Sequence, residues 1–324
     1  MASGRIVAVI GASGFIGRGV VRSLSEAEGV SVRLFSRSGR LAGGSPVAPL
    51  PDDPAAFAGV DAVIHLAAVA HTKVDEPTYQ AVNVGLARRM AGLAAQAEVP
   101  RFVFASSIGV HGRWSEVPLG PESPARPVTA YGWSKANAEQ RLAEDLAATA
   151  TELNIVRPPV VYGPGAPANF GQLMKAAAAG IRLPLGQATA PRSIISLANV
   201  SDAFAFLALR PGGTQSPTVL IPADDEDLPV RDIYRRLCLL AQRDVFPVSV
   251  PRRFMETLMT MAGRRDTYES LFRPSMVDRG HWKAIGWRPP ESTESGLEQA
   301  IRPLIQVRRD RPIERHHSSP GATD

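Results

Sequence analysis

The first half of the chain alternates between short apolar runs and amphipathic stretches. "RIVAVIG" reads as a strand, and apolar positions at helical spacing follow it from about Phe15 to Ala27. Strand-like runs recur at "VSVRLFSR", "DAVIHLAA", "RFVFASSIGVHG" and "ELNIVRPPVVYG". Helical patterns fall between them at about Val82–Ala97 and Tyr131–Ala148. This alternation predicts a doubly wound parallel sheet with right-handed crossovers. Ligands of such sheets bind at the carboxyl ends of the strands, here Gly11, Ser36, Ala67, Ser107 and Arg157–Val161.

The second half reads differently. Proline and glycine interrupt it at "YGPGAP", "LPLGQATAPRS" and "RPGGTQSP", so short elements are expected, forming a smaller cap over the sheet. The reading assigns residues 1–160 to a dinucleotide-binding domain, with a returning segment near 193–221. Residues 161–192 and 222–305 form the cap, and the polar stretch 306–324 is a disordered tail.

Composition narrows the functional classes. At 324 residues, with 44% hydrophobic and 21% charged, the chain can bury a sizeable core. A net charge of +5 is mild, and the arginine pairs 235–236, 252–253, 264–265 and 308–309 read as solvated faces. No basic stripe interleaved with aromatics points to nucleic acid, and an anionic small molecule is the more economical partner. One cysteine excludes an internal disulfide and agrees with a cytoplasmic location. The histidines lack metal-ligand spacing, so no metal is expected, and no run is long enough for a membrane span.

Three features carry chemistry. Gly11, Gly14 and Gly17 stand where the first strand hands over to a helix. They permit either a plain tight turn or a backbone close enough to cradle a pyrophosphate at the helix N-terminus. The second strand ends in "LFSRS", without the carboxylate that reads a ribose 2′-hydroxyl. Ser36 and Arg37, with Arg40 near, suit a 2′-phosphate instead, or Arg37 is an ordinary solvated side chain; NADP(H) is favoured over NAD(H). Tyr131 and Lys135 lie four apart on one helical face, where an ammonium would lower the phenol's pKa toward working pH. The stretch "FVFASSIGVHG" adds a hydroxyl from a preceding strand end.

Taken in order, "GASGFIG", "DAVIHLAA", "AVNVGL", "FVFASSIGVHG", "YGWSK", "VRPPVVYGPG", "RSIISLANVSDA" and "IGWRPPESTESGLEQAI" resemble the extended short-chain dehydrogenases/reductases. Within that group they resemble the NAD-dependent epimerase/dehydratase family. The resemblance implies an α/β fold, a Rossmann-type doubly wound parallel sheet with a smaller, mixed C-terminal substrate-binding lobe. It gives Ser107, Tyr131 and Lys135 the catalytic positions. Cofactor contacts fall by the same resemblance on Gly11, Ser13, Gly14, Phe15, Ile16, Gly17, Ser36, Arg37, Leu66, Ala67, Ala68, Asn83, Tyr131, Lys135, Pro158 and Val160. Many relatives carry Asn where this chain has Val160. Ser107, Asn169, Arg192 and Asp278 are the implied substrate contacts, with Asn169 as a helix cap and Arg192 as a surface arginine the alternatives.

Dehydratases of the family carry an Asp-Glu pair after the catalytic hydroxyl, and Ile108-Gly109 stand there instead, which sets dehydration aside. What remains is redox at C4 of a nucleotide-activated sugar, UDP-linked by resemblance to bacterial enzymes of surface-polysaccharide synthesis. Ser36-Arg37 favours a 4-keto-sugar reductase over a UDP-hexose 4-epimerase that retains NAD. A reductase of a steroid- or flavonoid-like ketone and a non-catalytic NAD(P)-sensing protein are lesser alternatives. By analogy the chain forms a homodimer through a four-helix bundle of the alanine-rich helices around 82–97 and 131–148.

Overall fold

The computed structural model describes residues 4–37, 39, 47–70, 74–211 and 217–309, with 307–309 described by backbone alone. Six strands form one parallel sheet: β1 (Arg5–Ile10), β2 (Val30–Phe35), β3 (Ala62–His65), β4 (Arg101–Ala105), β5 (Glu152–Val156) and, as its last strand, Thr218–Leu220. β2 and β3 flank β1 on opposite sides, so the chain reverses direction across the sheet at β1. Strand order reversal opens a crevice at the carboxyl ends of β1 and β3.

Both sheet faces are covered, and successive residues serve opposite cores. Val7 and Val9 of β1 join Ile64, Val103 and Val156 in one cluster, while Ala8 and Ile10 join Val63, Phe102 and Ile155 in the other. That split is the two-residue period of a strand expressed within a fully apolar run. Helix α1 (Phe15–Ser25) begins directly after the glycine turn. The second helical region comprises α2 (Glu76–Tyr79), a π-helical segment (Gln80–Gly85) and α3 (Leu86–Gln96). It starts earlier than the apolar periodicity indicates because Asp75 Oδ1 accepts from Thr78 N and Pro77 occupies the first turn. Helix α4 (Ala130–Leu146) is capped by Thr129, whose Oγ1 accepts from Gly132 N at 3.0 Å.

"ELNIVRPPVVYG" is not one strand. Pro158-Pro159 lack N–H donors and end β5; β6 (Val160–Tyr162) then pairs with β7 (Ile194–Ser196) in a separate two-stranded sheet. Helix α5 (Ala168–Ala179) lies between them, and α6 (Leu197–Leu209) returns the chain to the sheet, packing against α1 before the last strand, β8 (Thr218–Leu220). The remaining helices are α7 (Val230–Leu240), α8 (Arg252–Met261), α9 (Arg265–Phe272), α10 (Gly280–Ile285) and α11 (Thr293–Arg309).

A third apolar cluster, built on Tyr162, Phe170, Met174, Leu237, Phe272, Leu297 and Ile301, unites α5, α7, α9 and α11. The lobe is thus largely helical. Its elements are not all short, since α11 spans 17 residues despite Pro303. That helix also runs to Arg309, past residue 306 where the tail was expected to begin; the rest of that stretch lies outside the described residues.

Candidate active site

Gly11 closes β1 with φ +90°, its N–H donating to Phe35 O at 2.9 Å. A Cβ there would lie 2.7 Å from Ala67 N, and one at Gly17 would lie 2.2 Å from Gly11 O. The backbones of the turn, of α1 and of the segment after β3 therefore touch, and only glycine permits it. Gly14 occupies the N-cap of α1 without a capping side chain, leaving the first-turn N–H groups of Phe15 to Gly17 aimed past the turn. This cradle fits the pyrophosphate of a dinucleotide.

Beside it, the Ser13 and Ser36 hydroxyls lie 3.0 Å apart, Ser36 is buried, and Arg37 is exposed at the end of β2. Arg40 lies outside the described residues. Leu66, Ala67 and Ala68 are half-buried along the crevice, with Leu66 N donating to Ile10 O at 2.8 Å. The following segment is pinned by Asn83 from within the π-helical turn. Its Oδ1 accepts from Val69 N at 2.8 Å, and its Nδ2 donates to Val69 O and to Ser134 Oγ on α4. An extra residue in the helical turn turns Asn83 inward between two elements, a use of π geometry met at functional sites.

A cavity of about 360 Å³ opens beyond the cradle. Ser107 and Tyr131 line it together with Phe15, Ile16, Pro158, Val160 and Asn169. Ser107 caps a 3-10 turn (Ile108–His111), its Oγ accepting from Gly109 N at 3.1 Å. Tyr131 is one residue inside α4, and Lys135 follows one turn later, almost wholly buried. Lys135 Nζ donates to Ala105 O at 2.7 Å and sits 4.7 Å from the Phe104 ring centre and 5.9 Å from that of Tyr131.

One electrostatic expectation is reversed. Lys135 does not draw the Tyr131 phenol down; burial pushes that phenol up to about 12, and the nearby Tyr79 adds to the rise. Burial pushes the Lys135 ammonium down to about 7, against the opposing pull of Glu139. Desolvation dominates both shifts, and Lys135 spends its hydrogen bond on the Ala105 carbonyl rather than on the phenol.

The other substrate positions separate. Asn169 lines the cavity but does not cap α5, whose N-cap is Pro167. Arg192 is half-buried outside the cavity lining, donating to Arg273 O at 2.9 Å, with burial lowering its guanidinium to about 10. Asp278 is exposed and also outside the lining; its Oδ1 accepts from Gly280 N at 2.8 Å at the start of α10.

Sequence reasoning missed a buried network under the site. Glu139, one turn beyond Lys135, accepts from Ser106 Oγ and from Arg157 Nη2 at 2.6 Å, and Arg157 Nη1 donates to His111 Nε2 at 3.2 Å. The Lys135–Glu139 spacing was the available signal, but Arg157 arrives from just beyond the end of β5. Arg113 was missed too. It lines the cavity and pairs with Asp266 of α9 at 2.6 Å, while Ser270 of the same helix also lines it. His65 closes β3 fully buried, stacked on Phe102 and Phe104, and burial drives its imidazole down to about 3.

Residues 7–220 match the NAD dependent epimerase/dehydratase family. A UDP-glucose 4-epimerase of Vibrio cholerae is 30% identical over 316 residues, covering 93% of this chain and 96% of its own. A 2-alkyl-3-oxoalkanoate reductase of Stenotrophomonas maltophilia is 32% identical over 258 residues, 71% of this chain and 74% of its own. Among solved structures, MoeE5 in complex with UDP-glucose and NAD superposes with a TM-score of 0.71 at 23% identity, covering 94% of this chain and 99% of that one. The chain belongs to the NAD dependent epimerase/dehydratase family and is an enzyme of the short-chain dehydrogenase/reductase type.

Proposed function

We propose that this member of the NAD dependent epimerase/dehydratase family acts at C4 of a nucleotide-linked sugar, in the net direction of a 4-keto-sugar reductase using NADPH. One observation carries the reading: Ser107 and Tyr131 share a cavity beside the glycine cradle, with Lys135 buried one helical turn behind. Gly11, Gly14 and Gly17 would hold the pyrophosphate, Ser36 and Arg37 the 2′-phosphate, and Lys135 the nicotinamide ribose. The bound dinucleotide supplies the hydride.

The chain's own residues manage the oxygen and its proton. Ser107 Oγ accepts from Gly109 N and keeps its hydrogen for the ketone oxygen of the substrate. Tyr131 holds its proton firmly at neutral pH, since burial raises the phenol to about 12. It releases that proton only when the substrate oxygen becomes an alkoxide, which is what a reductase requires of its acid. Within the cavity Asn169 and Arg113 face the nucleotide-sugar; the half-buried Arg192 is kept for the diphosphate and Asp278 for the sugar lobe.

A second reading, a 4-epimerase retaining NAD, is favoured by the Vibrio cholerae relative, which aligns over nearly the whole of both chains. Incubation with NADPH and a panel of 4-keto nucleotide sugars, followed by loss of nicotinamide absorbance, tests the first reading. UDP-hexoses without added cofactor test the second. Tyr131→Phe should lower turnover by about 100-fold or more in whichever assay responds. Unchanged turnover in that variant refutes the catalytic assignment.

The proposal includes a cytoplasmic homodimer. Trp133 of α4 is exposed, and with Ala136, Asn137 and Gln140 it lines an open groove of about 650 Å³ that supports pairing with a second copy along α4; α3 does not line that groove.

A further inference from the structure

The three arginine pairs whose side chains are described divide into two kinds. Arg235 is held by Asp244 at 2.7 Å and Arg236 by Glu226 at 2.9 Å, as solvated ion pairs. Arg252-Arg253 open α8 and Arg264-Arg265 follow it at the start of α9, all four exposed, with Arg252 Nη2 donating to Phe272 O at 3.1 Å. Among the described residues the one ion pair any of them makes is Arg265 with Glu269 at 3.4 Å, on the surface.

Between those pairs α8 turns apolar residues outward. Met255 is its buried anchor, with Met259 half-buried beside it on the same face. Phe254, Leu258 and Met261 occupy positions i, i+4 and i+7 and are 61%, 51% and 83% exposed. Such spacing sets them along one stripe of the helix surface. Phe246 and Val248 in the segment leading to α8 are exposed as well. A large apolar stripe left in water marks a contact surface.

We propose that α8 docks this lobe on the surface of an anionic lipid bilayer. Ten residues make a helix about 15 Å long, which can lie flat with its apolar stripe in the headgroup boundary. The arginines at both ends would extend their apolar stems over that boundary and place their guanidinium groups among lipid phosphates. From Arg252 to Arg265 the sequence carries four arginines against the single acid Glu256, so the surface is complementary to negative charge. No helix among the described residues is long and apolar enough to cross a membrane, so the contact lies on the bilayer. Charge disfavours a second copy as the occupant. Stacking α8 on itself, parallel or antiparallel, sets arginine pairs against arginine pairs. Helix α9 packs on α8 and supplies Ser270 to the candidate cavity, so a docked lobe carries that cavity close to the membrane.

The test is flotation of the full chain with vesicles of phosphatidylcholine alone and of a roughly two-to-one mixture with phosphatidylglycerol, at low and high salt. Binding to the anionic vesicles that weakens at high salt is expected. Phe254→Ser/Leu258→Ser/Met261→Ser should reduce it at least about tenfold. Arg253→Gln/Arg264→Gln should reduce it about fivefold per charge, with turnover in solution unchanged in both variants. Equal binding by wild type and the triple variant, or none to anionic vesicles at low salt, overturns the proposal. So does concentration-dependent self-association, seen by light scattering and abolished in the triple variant, without vesicle binding.

Discussion

Gly17→Ala is the sharpest perturbation of the cradle. The added Cβ would lie 2.2 Å from Gly11 O and 2.9 Å from the carbonyl carbon and oxygen of Ala12. It falls about 1 Å short of an ordinary contact, and every obstructing atom is backbone, so no side-chain rotation relieves it. Overpacking of this kind costs about 1–3 kcal/mol, while alanine in a helix returns about 1 kcal/mol. A net loss of up to about 2 kcal/mol follows, lowering the thermal midpoint by up to a few degrees. The larger consequence is for binding: α1 must back away from the turn, moving the N–H groups of its first turn by about 1 Å. Displacements of that size at a positioned site cost up to about 100-fold, so NADPH affinity should fall at least tenfold. Fluorescence titration with NADPH and a thermal scan read both effects. Gly92→Ala is the control, since Gly92 lies in α3 with nothing within 4 Å of its would-be Cβ. That substitution should raise stability by about 0.5–1 kcal/mol and leave binding alone. If Gly17→Ala behaves like Gly92→Ala, with raised stability and unchanged NADPH affinity, the reading of the cradle is wrong.

Glu139→Gln leaves the Arg157 guanidinium buried beside a neutral partner, both side chains being about 10% exposed in the native pair. A urea titration should show a loss of about 3 kcal/mol, and adding Arg157→Met should recover part of it. His65 is neutral when folded, at about 3, and takes up a proton near 6.5 when unfolded. The unfolded state therefore binds more protons as pH falls below about 6.5, and stability declines by up to about 1.4 kcal/mol per pH unit down to about pH 3. His65→Asn should flatten that slope in denaturant titrations across the acid range; an unaltered slope counts against a buried neutral imidazole. Arg37→Ala should weaken NADPH roughly tenfold while leaving NADH within about twofold, measured as paired dissociation constants, and an equal loss for both would remove the 2′-phosphate assignment.

Local pattern was enough for the sheet, the glycine turn and the Tyr131/Lys135 spacing. Each is a periodicity or a short-range steric need, written within a few consecutive residues. Chain-distant consequences were not legible. Pro158-Pro159 divides one apolar run between two sheets, and the partner of β6 lies at 194–196. Arg157, just beyond the end of β5, reaches Glu139, and Arg113 of the cavity lining meets Asp266 of α9, pairings separated by many residues and set only when the layers close. The tyrosine's proton affinity belongs to the same class. Residue type and spacing placed an ammonium beside a phenol, but burial fixes the sign of the shift, and burial exists only once α4 is packed on the sheet. The arginine pairs end likewise. By sequence they are four similar charged doublets; the fold neutralises Arg235-Arg236 with carboxylates and leaves those around α8 facing outward with an apolar stripe between them. What a residue can do was determined by its chemistry and near neighbours, and what it faces was decided by the tertiary structure, because desolvation and charge pairing act through space.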